Sequence, residues 1–148
     1  MNYKYKDILI ILVASLLIGL FRFFFIQDIA LIKAPNPEII FISTSESFEA
    51  FSDKKSLFID ARDTVSYFEG HIENAINIDW ENQLEDQFAA LDIIPKDTTL
   101  IIYCSGGNCT LGEDLADSLL KVGYINILLY EDGFPKWKEN NYPVIKGK

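Results

Sequence analysis

Cysteine and histidine are scarce in this chain of 148 residues, which has two cysteines, Cys104 and Cys109, and one histidine, His71. Two cysteines are too few for a disulfide framework. Together with a single histidine they are also too few for a zinc ribbon, so we expect no metal site. The length suits one domain with little left over, which excludes a multidomain enzyme. The two cysteines must therefore be interpreted individually.

Basic residues are also in short supply, and the net charge is −9. Residues 1–33 carry four basic and two acidic groups, whereas the rest of the chain carries nine basic against 20 acidic groups. A domain this acidic repels phosphate backbones and anionic lipid, so we expect no nucleic-acid partner. Hydrophobic residues make up 49% of the chain and aromatic residues 14%, which excludes a disordered protein.

One long hydrophobic run, residues 8–26, contains a single charge, Arg22. As a helix it would rise about 28 Å, roughly the thickness of the hydrocarbon layer of a bilayer. Arg22 lies near the end of the run, where its side chain can extend toward the interface. We therefore predict a transmembrane anchor over residues 1–27, in contact with membrane lipid through residues 8–26. A cleaved signal peptide and a buried helix of a soluble protein are the alternatives.

The basic residues Lys4 and Lys6 precede the hydrophobic run, whereas the acidic part of the chain follows it. This bias places the amino terminus in the cytoplasm and the domain on the extracytoplasmic, or periplasmic, side of the membrane. Residues 28–38 contain two prolines and no periodic pattern, so we interpret them as a linker. The predicted domain comprises residues 39–148.

Short apolar segments alternate with amphipathic stretches along the domain, a pattern typical of an α/β fold with a mainly parallel central sheet. We predict about five strands and several intervening helices, and the strand at 100–103 is apolar at every position, as expected for a central strand. Ser43 and Glu46 have the spacing of a capping box at the start of the first helix. The predicted strands are 39–42, 57–60, 75–78, 100–103 and 125–130, and the predicted helices are 43–51, 64–69, 80–91 and 110–122.

A glycine-containing loop follows the central strand, and its residues are Cys104, Ser105, Gly106, Gly107, Asn108, Cys109 and Thr110. Ligands of open α/β sheets bind at the carboxyl ends of strands, where this loop lies. Adjacent glycines permit positive φ angles, so successive N–H groups can turn toward an anion or a thiolate. The following helix directs its amino end at the same point, which lowers the pKa of Cys104 and makes it a candidate nucleophile. A small, buried cysteine at the end of a strand is the alternative.

Several segments of the domain share an order and spacing that is known from one family: residues 57–63, 67–78, 102–104, 132–134, 137 and 142–144. In these segments the chain resembles the rhodanese-like sulfurtransferases, which implies a rhodanese-like three-layer domain. In that family the loop cysteine accepts a sulfane sulfur as a persulfide and passes it to a thiol acceptor, which the resemblance implies for Cys104. Asp60 and Arg62 follow the second strand, so we expect them to pair or to fix the neighbouring loops in a supporting role; we expect no cofactor.

The chain departs from this family in the loop itself. The family pattern has an arginine five positions after the nucleophile, and Cys109 occupies that place here, followed by a matching Thr110. Losing a charge-assisted contact to an anionic donor costs about 1.5–3 kcal/mol. Glu113 and Asp114 add repulsion toward a dianion. We therefore expect thiosulfate to be a poor donor, and a polysulfide or persulfide to be a better one.

Cys109 has two interpretations. As a resolving thiol it would attack a persulfide or sulfenic acid on Cys104 and form a disulfide; otherwise it only fills the place of the arginine. Two other functions stay open for the domain: a thiol-disulfide oxidoreductase that uses both cysteines, and a non-catalytic module that binds a membrane protein. Phosphatase or arsenate-reductase chemistry fits less well, because those relatives have a longer loop that keeps its arginine. We expect His71 to form a structural hydrogen bond.

Overall fold

The computed structural model describes residues 4–30, 38–82, 89–107 and 109–147, with side chains only as far as Arg22 in the first of these ranges. By internal contacts the chain divides into two compact units, Met1–Asn36 and Pro37–Lys148. Most of the predicted linker, residues 28–38, lies outside the described residues.

The first unit contains helix α1, Tyr5–Ala30, which includes the whole hydrophobic run. We predicted that this run crosses a membrane. Within the described residues, however, no helix combines the length and the apolar character needed for a membrane span. The transmembrane prediction therefore finds no support in the structure.

The second unit is built on a five-stranded sheet with the strand order β1–β6–β5–β2–β4. Every pairing between neighbouring strands of this sheet is parallel. The prediction of a parallel central sheet of about five strands is confirmed, and the strand that precedes Cys104 is the central one. The strands are β1 (Ile40–Ile42), β2 (Ser56–Asp60), β4 (Ile76–Asn77), β5 (Thr99–Tyr103) and β6 (Ile127–Tyr130).

Two further strands, β3 (His71–Ile72) and β7 (Val144–Ile145), pair antiparallel in a small second sheet that we did not predict. Each has only two residues, too few to show an alternating hydrophobic pattern. Their pairing joins the segment after β2 to the end of the domain.

The predicted helices match the structure closely, with one exception. The capping box at Ser43 and Glu46 is present, and α2 runs two residues beyond its predicted end. A 3₁₀ helix, Ala90–Ile93, overlaps the end of the helix predicted at 80–91, but residues 83–88 of that prediction lie outside the described residues. The short helix α5 was not predicted. The helices of this unit are α2 (Thr44–Asp53), α3 (Thr64–Glu69), α4 (Leu111–Lys121) and α5 (Gly133–Glu139).

The core lies on both faces of the sheet, because the side chains of β5 alternate between them. Leu100, Ile102 and Cys104 pack on the face that α4 covers, together with Leu115 and Leu119. Ile101 and Tyr103 pack on the opposite face, with an aromatic cluster around the fully buried Trp137 of α5. This alternation places Cys104 directly beneath α4, and Tyr103 on the other side of the sheet.

Candidate active site

Cys104 lies at the carboxyl end of the central strand, where the sheet geometry predicts a site. The residue is only 6% exposed and belongs to the core cluster beneath α4. The first turn of α4 comes close to it at Gly112, since a Cβ placed there would lie 3.0 Å from Leu129 and 4.0 Å from Cys104 Sγ. The amino end of α4 is therefore adjacent to the thiol.

The loop after Cys104 adopts the backbone conformation that its glycines allow. Gly106 and Gly107 have φ angles of 76° and 63°, as predicted from their pairing in the sequence. Ser105 and Gly107 are exposed, and Gly106 is half-buried. Asn108, which we also predicted to belong to the substrate-binding loop, lies outside the described residues.

The loop is held against the turn that begins α5. The N–H of Phe134 donates a hydrogen bond of 2.9 Å to the carbonyl oxygen of Cys104. A Cβ on Gly106 would collide with the backbone oxygen of Asp132, and a Cβ on Gly133 would lie 2.6 Å from the nitrogen of Gly106. Two glycines thus permit direct backbone contact between the turn and the loop. The sequence contains Gly133 within a family-like segment, but its contact with Gly106 was not foreseen.

Cys109 lies beside Cys104. Their Cα atoms are 6.6 Å apart, within the range that a disulfide requires, and their sulfur atoms are paired as a disulfide. Cys104 Sγ also lies 3.4 Å from the backbone oxygen of Cys109, to which a reduced thiol can donate a weak hydrogen bond. Cys109 is half-buried, so it is more accessible than Cys104.

The entrance to α4 carries negative charge and no positive charge. Thr110 is the N-cap residue, but its side chain makes no capping hydrogen bond within the described part of the chain; its backbone oxygen accepts from the N–H of Asp114. Glu113 and Asp114 occupy the first turn. They suit the helix dipole and disfavour a dianionic ligand. No lysine or arginine occurs between Cys104 and Thr110.

Asp60 and Arg62 form a buried ion pair at the end of β2, next to the end of β5. Asp60 is fully buried, and its carboxylate accepts hydrogen bonds from the guanidinium and the backbone N–H of Arg62. Burial alone would lower the pKa of Arg62, but the hydrogen bonds and the charge of Asp60 outweigh it and raise that pKa. Arg62 also donates to the backbone oxygen of Gly70.

Arg62 reaches the loop only indirectly. Its guanidinium carbon lies 4.1 Å from the centre of the Phe134 ring, a cation–π contact. Tyr103, which precedes Cys104, accepts a hydrogen bond from the N–H of Ile72. Burial, followed by the negative charge of Asp60, raises the pKa of Tyr103 and keeps it neutral. Arg62 thus supports the turn that holds Cys104, while its Nε and Nη2 donate to Asp60 and Gly70.

His71 lies away from the loop. Its Nδ1 is 2.9 Å from the backbone oxygen of Tyr67, and its ring stacks on that of Tyr67 with centroids 3.7 Å apart. The ring is therefore engaged in local structure. Among the described residues, no three histidine, cysteine or acidic side chains are grouped as a metal site would need.

A cleft of about 540 Å³ opens beside Arg62, and its lining includes Phe68, Phe134, Lys138 and Lys146. None of the described residues of the 104–110 loop lines it. Cys104 and Cys109 therefore lie outside the lining of this cleft.

Residues 44–140 match the model of the rhodanese-like domain family. Because this match covers well over half of the chain, the chain belongs to that family. It is 32% identical over 123 residues to a tRNA uridine(34) hydroxylase of Buchnera aphidicola subsp. Acyrthosiphon pisum (strain Tuc7), a match that covers 77% of this chain and 37% of that protein. A protein of the same name from Yersinia enterocolitica is 27% identical over 111 residues, covering 70% of this chain and 31% of the relative. The chain thus spans about a third of the length of these relatives.

Solved structures share the fold at lower identity. The BH2092 protein from Bacillus halodurans superposes with a TM-score of 0.63 and 23% identity, covering 72% of this chain and 77% of that one. A thiosulfate sulfurtransferase from Pseudomonas aeruginosa gives a TM-score of 0.59 at 20% identity, covering 74% of this chain and 20% of that one. At these identities the likeness shows the rhodanese-like fold alone.

Proposed function

We propose that this rhodanese-like domain is a sulfurtransferase or sulfur carrier that forms a persulfide on Cys104. The observation that carries the proposal is the position of Cys104, at the end of the central strand and beside the amino end of α4. Backbone dipoles at that place favour the thiolate over the thiol. The family to which the chain belongs makes sulfur chemistry the natural use of such a thiolate.

In the proposed reaction, the Cys104 thiolate attacks the outer sulfur of a donor persulfide or polysulfide. A new S–S bond forms on Cys104 as the donor's S–S bond breaks; a persulfide donor leaves as a thiolate, and a polysulfide donor leaves as a polysulfide shorter by one sulfur atom. A second thiolate then removes the outer sulfur from Cys104. The loop N–H groups, with both glycines at positive φ, offer a place for the terminal sulfur anion.

The donor is expected to be something other than thiosulfate. The loop has no cation of its own, and the nearby Arg62 is committed to Asp60, to Gly70 and to the Phe134 ring. Glu113 and Asp114 add negative charge at the start of α4. A dianion therefore finds repulsion here where a basic loop would attract it.

The names of the relatives point to different reactions, since some are tRNA uridine(34) hydroxylases and one fold neighbour is a thiosulfate sulfurtransferase. Neither name transfers directly. The acidic charge of residues 34–148 disfavours a tRNA substrate, and the missing cation disfavours thiosulfate. A thiol or persulfide substrate of low charge fits both observations.

Thiol-disulfide exchange is the second candidate function, because the two cysteines are paired. It uses the same residues but needs no sulfane sulfur. A purely binding role for the domain would need neither cysteine, and the experiment described below separates all three.

We also infer from the sequence alone that the chain acts at a membrane, with the domain on the extracytoplasmic side and a membrane protein as partner. The support is the apolar run of residues 8–26 and the basic residues that precede it. Carbonate extraction of cell membranes and protease protection of sealed vesicles test the location. Release of the chain by carbonate, or protection of the domain in right-side-out vesicles, would contradict it.

Intact-mass measurement of the full chain tests the main proposal. The reduced chain is exposed separately to thiosulfate and to polysulfide, beside the variant Cys104→Ser. We expect polysulfide to add a sulfur atom that the variant cannot acquire, and thiosulfate to add little. Loss of two hydrogens with no sulfur-bearing species at any time point would favour thiol-disulfide exchange, and no change at all would favour the binding module.

A further inference from the structure

We propose that Cys109 resolves the Cys104 persulfide within the same chain, so that the domain releases the sulfane sulfur as hydrosulfide. This inference rests on the proposed function, since it requires a persulfide on Cys104. The inference adds an activity to the proposed function, namely the reduction of sulfane sulfur in place of its transfer to an outside thiol.

The geometry for this step is already present. The Cα atoms of Cys104 and Cys109 are 6.6 Å apart, so a bond between their sulfur atoms needs no movement of the backbone. The disulfide in the structure is the product that the proposed step would leave. Cys109 also occupies the position at which the usual loop pattern of the family has an arginine, so this chain has a second thiol where that pattern has a donor-binding group.

The proposed step replaces one sulfur–sulfur bond by another. The Cys109 thiolate attacks the inner sulfur of the Cys104 persulfide, and a Cys104–Cys109 bond forms as the bond to the outer sulfur breaks. The outer sulfur leaves with that bond's electron pair as hydrosulfide. The two cysteine thiols are oxidised to a disulfide, and the sulfane sulfur is reduced. An external dithiol reductant then restores both thiols for another cycle.

Burial favours the internal thiol over an external one. Cys104 is 6% exposed, so an external thiol has little access to Cys104 Sγ, which is the inner sulfur of the persulfide and the atom attacked in this step. A donor has to bring only its outer sulfur atom to that Sγ. Cys109 needs no access, because its sulfur is already in contact with that of Cys104. Because Cys109 is half-buried and Cys104 is buried, an external dithiol reaches the sulfur of Cys109 more readily than that of Cys104. This asymmetry suits a cycle in which a donor loads Cys104 and a reductant enters at Cys109.

The test follows a single turnover of the full chain. The chain is reduced, freed of reductant and mixed with glutathione persulfide, while intact mass and released hydrosulfide are followed over time. For the wild type we expect a transient gain of one sulfur atom, then loss of that sulfur and of two hydrogens, with one hydrosulfide released per chain. Its rate should not depend on protein concentration.

The matched variant Cys109→Ser should gain the same sulfur atom and keep it. We expect its persulfide to persist on the order of 100-fold longer than that of the wild type. Well-oriented intramolecular reactions have high effective molarities, which allow an acceleration of at least this size. Cys109→Ala should keep its persulfide as long as Cys109→Ser does, which would show that the serine hydroxyl does not cause the persistence. Should either variant fail to fold, the stoichiometry and first-order decay of the wild type still test the inference.

The outcomes separate the inference from the proposed function. If the wild type keeps its persulfide as long as Cys109→Ser does, the inference is wrong and the proposed function stands. A decay rate that rises with protein concentration, or a glutathione adduct in place of the sulfur-bearing species, would also overturn the inference. If neither the wild type nor Cys109→Ser gains sulfur, the proposed function itself fails.

Discussion

The carboxyl ends of β2 and β5 are neighbours in the sheet, with Asp60 in register with Tyr103, yet they are built in opposite ways. The end of β2 holds a buried ion pair in which the guanidinium of Arg62 donates to both carboxylate oxygens of Asp60. The end of β5 holds Cys104, a loop with no cation and a helix start with two acids. In this domain the buried cation therefore supports the turn beside the candidate site, whereas Cys104 lies among backbone dipoles and beside Cys109.

Breaking the β2 end should have the largest effect. Arg62→Met leaves the carboxylate of Asp60 buried without its partner, a loss that costs about 3–5 kcal/mol of unfolding free energy. Denaturant unfolding of wild type and variant measures it. The double variant Asp60→Asn with Arg62→Met is the control, because it removes both charges and should lose less than the single variant. A loss below about 1 kcal/mol for Arg62→Met would show that the pair does not stabilise the fold.

Restoring a cation at the β5 end should have the next largest effect. Cys109→Arg returns a basic side chain to the loop, and a charge-assisted contact of about 1.5–3 kcal/mol corresponds to a gain of about 10- to 100-fold in kcat/KM. Steady-state assays with thiosulfate as donor, and a thiol acceptor, measure the gain. Cys109→Ser provides the comparison, since it removes the second thiol without adding charge. An equal gain in Cys109→Ser would mean that the thiol, rather than the missing charge, limits thiosulfate turnover.

Changing Phe134, which connects the end of β2 to the end of β5, should have a smaller effect. Phe134 contacts Arg62 through its ring and Cys104 through its backbone N–H. Phe134→Leu keeps the backbone bond but removes the cation–π contact, which is worth about 2 kcal/mol when desolvated. We expect a loss of that size in unfolding free energy, together with slower sulfur loading of Cys104. Phe134→Tyr keeps the aromatic face, so it should retain most of both properties; equal losses in the two variants would exclude the cation–π contact as the cause.

Much of this site was predictable because its signals are local. The apolar run of β5, the two glycines and the cysteine at the start of the loop follow one another in the sequence, so the strand, the turn and the position of Cys104 between them could be predicted together. The Cα separation of Cys104 and Cys109 could not, because spacing along the chain does not fix the path of a glycine-rich loop. Gly133 was missed as a site residue for a related reason, since its role is a close approach to Gly106 from another part of the chain.

The elements that were missed in the fold are short or depend on distant partners. β3 and β7 have two residues each and pair across more than 70 positions of sequence. α5 has seven residues, begins at a glycine and contains Pro135, all of which weaken a helix pattern. Its stability comes from tertiary packing, above all from the buried Trp137, whose Nε1 donates to the backbone oxygen of Pro143. Local propensity does not reveal such contacts.

The smallest effect should come from the cap of α3, which directly follows the ion pair at the β2 end. Asp63 accepts hydrogen bonds from the backbone N–H and the hydroxyl of Ser66, and these lower its pKa. Asp63→Ala removes an N-cap and should cost about 1 kcal/mol of unfolding free energy at neutral pH, with no change in sulfur loading of Cys104.

The pH dependence of this loss of unfolding free energy shows whether the charge of the Asp63 carboxylate contributes to stability, in addition to its role as a hydrogen-bond acceptor. Because folding lowers the pKa of Asp63, its ionised form contributes stability that is fully present above the unfolded pKa, near 3.9, and is lost as the pH falls through the lower folded pKa. The free energies of unfolding of wild type and Asp63→Ala, measured with denaturant, should therefore become more similar below about pH 4. Asp63→Asn keeps an N-cap acceptor that does not titrate. The free energy of unfolding of Asp63→Asn should therefore exceed that of Asp63→Ala by the same amount at every pH. If the free energy of unfolding of the wild type differs from that of Asp63→Ala by the same amount at every pH, the carboxylate charge adds nothing beyond the cap.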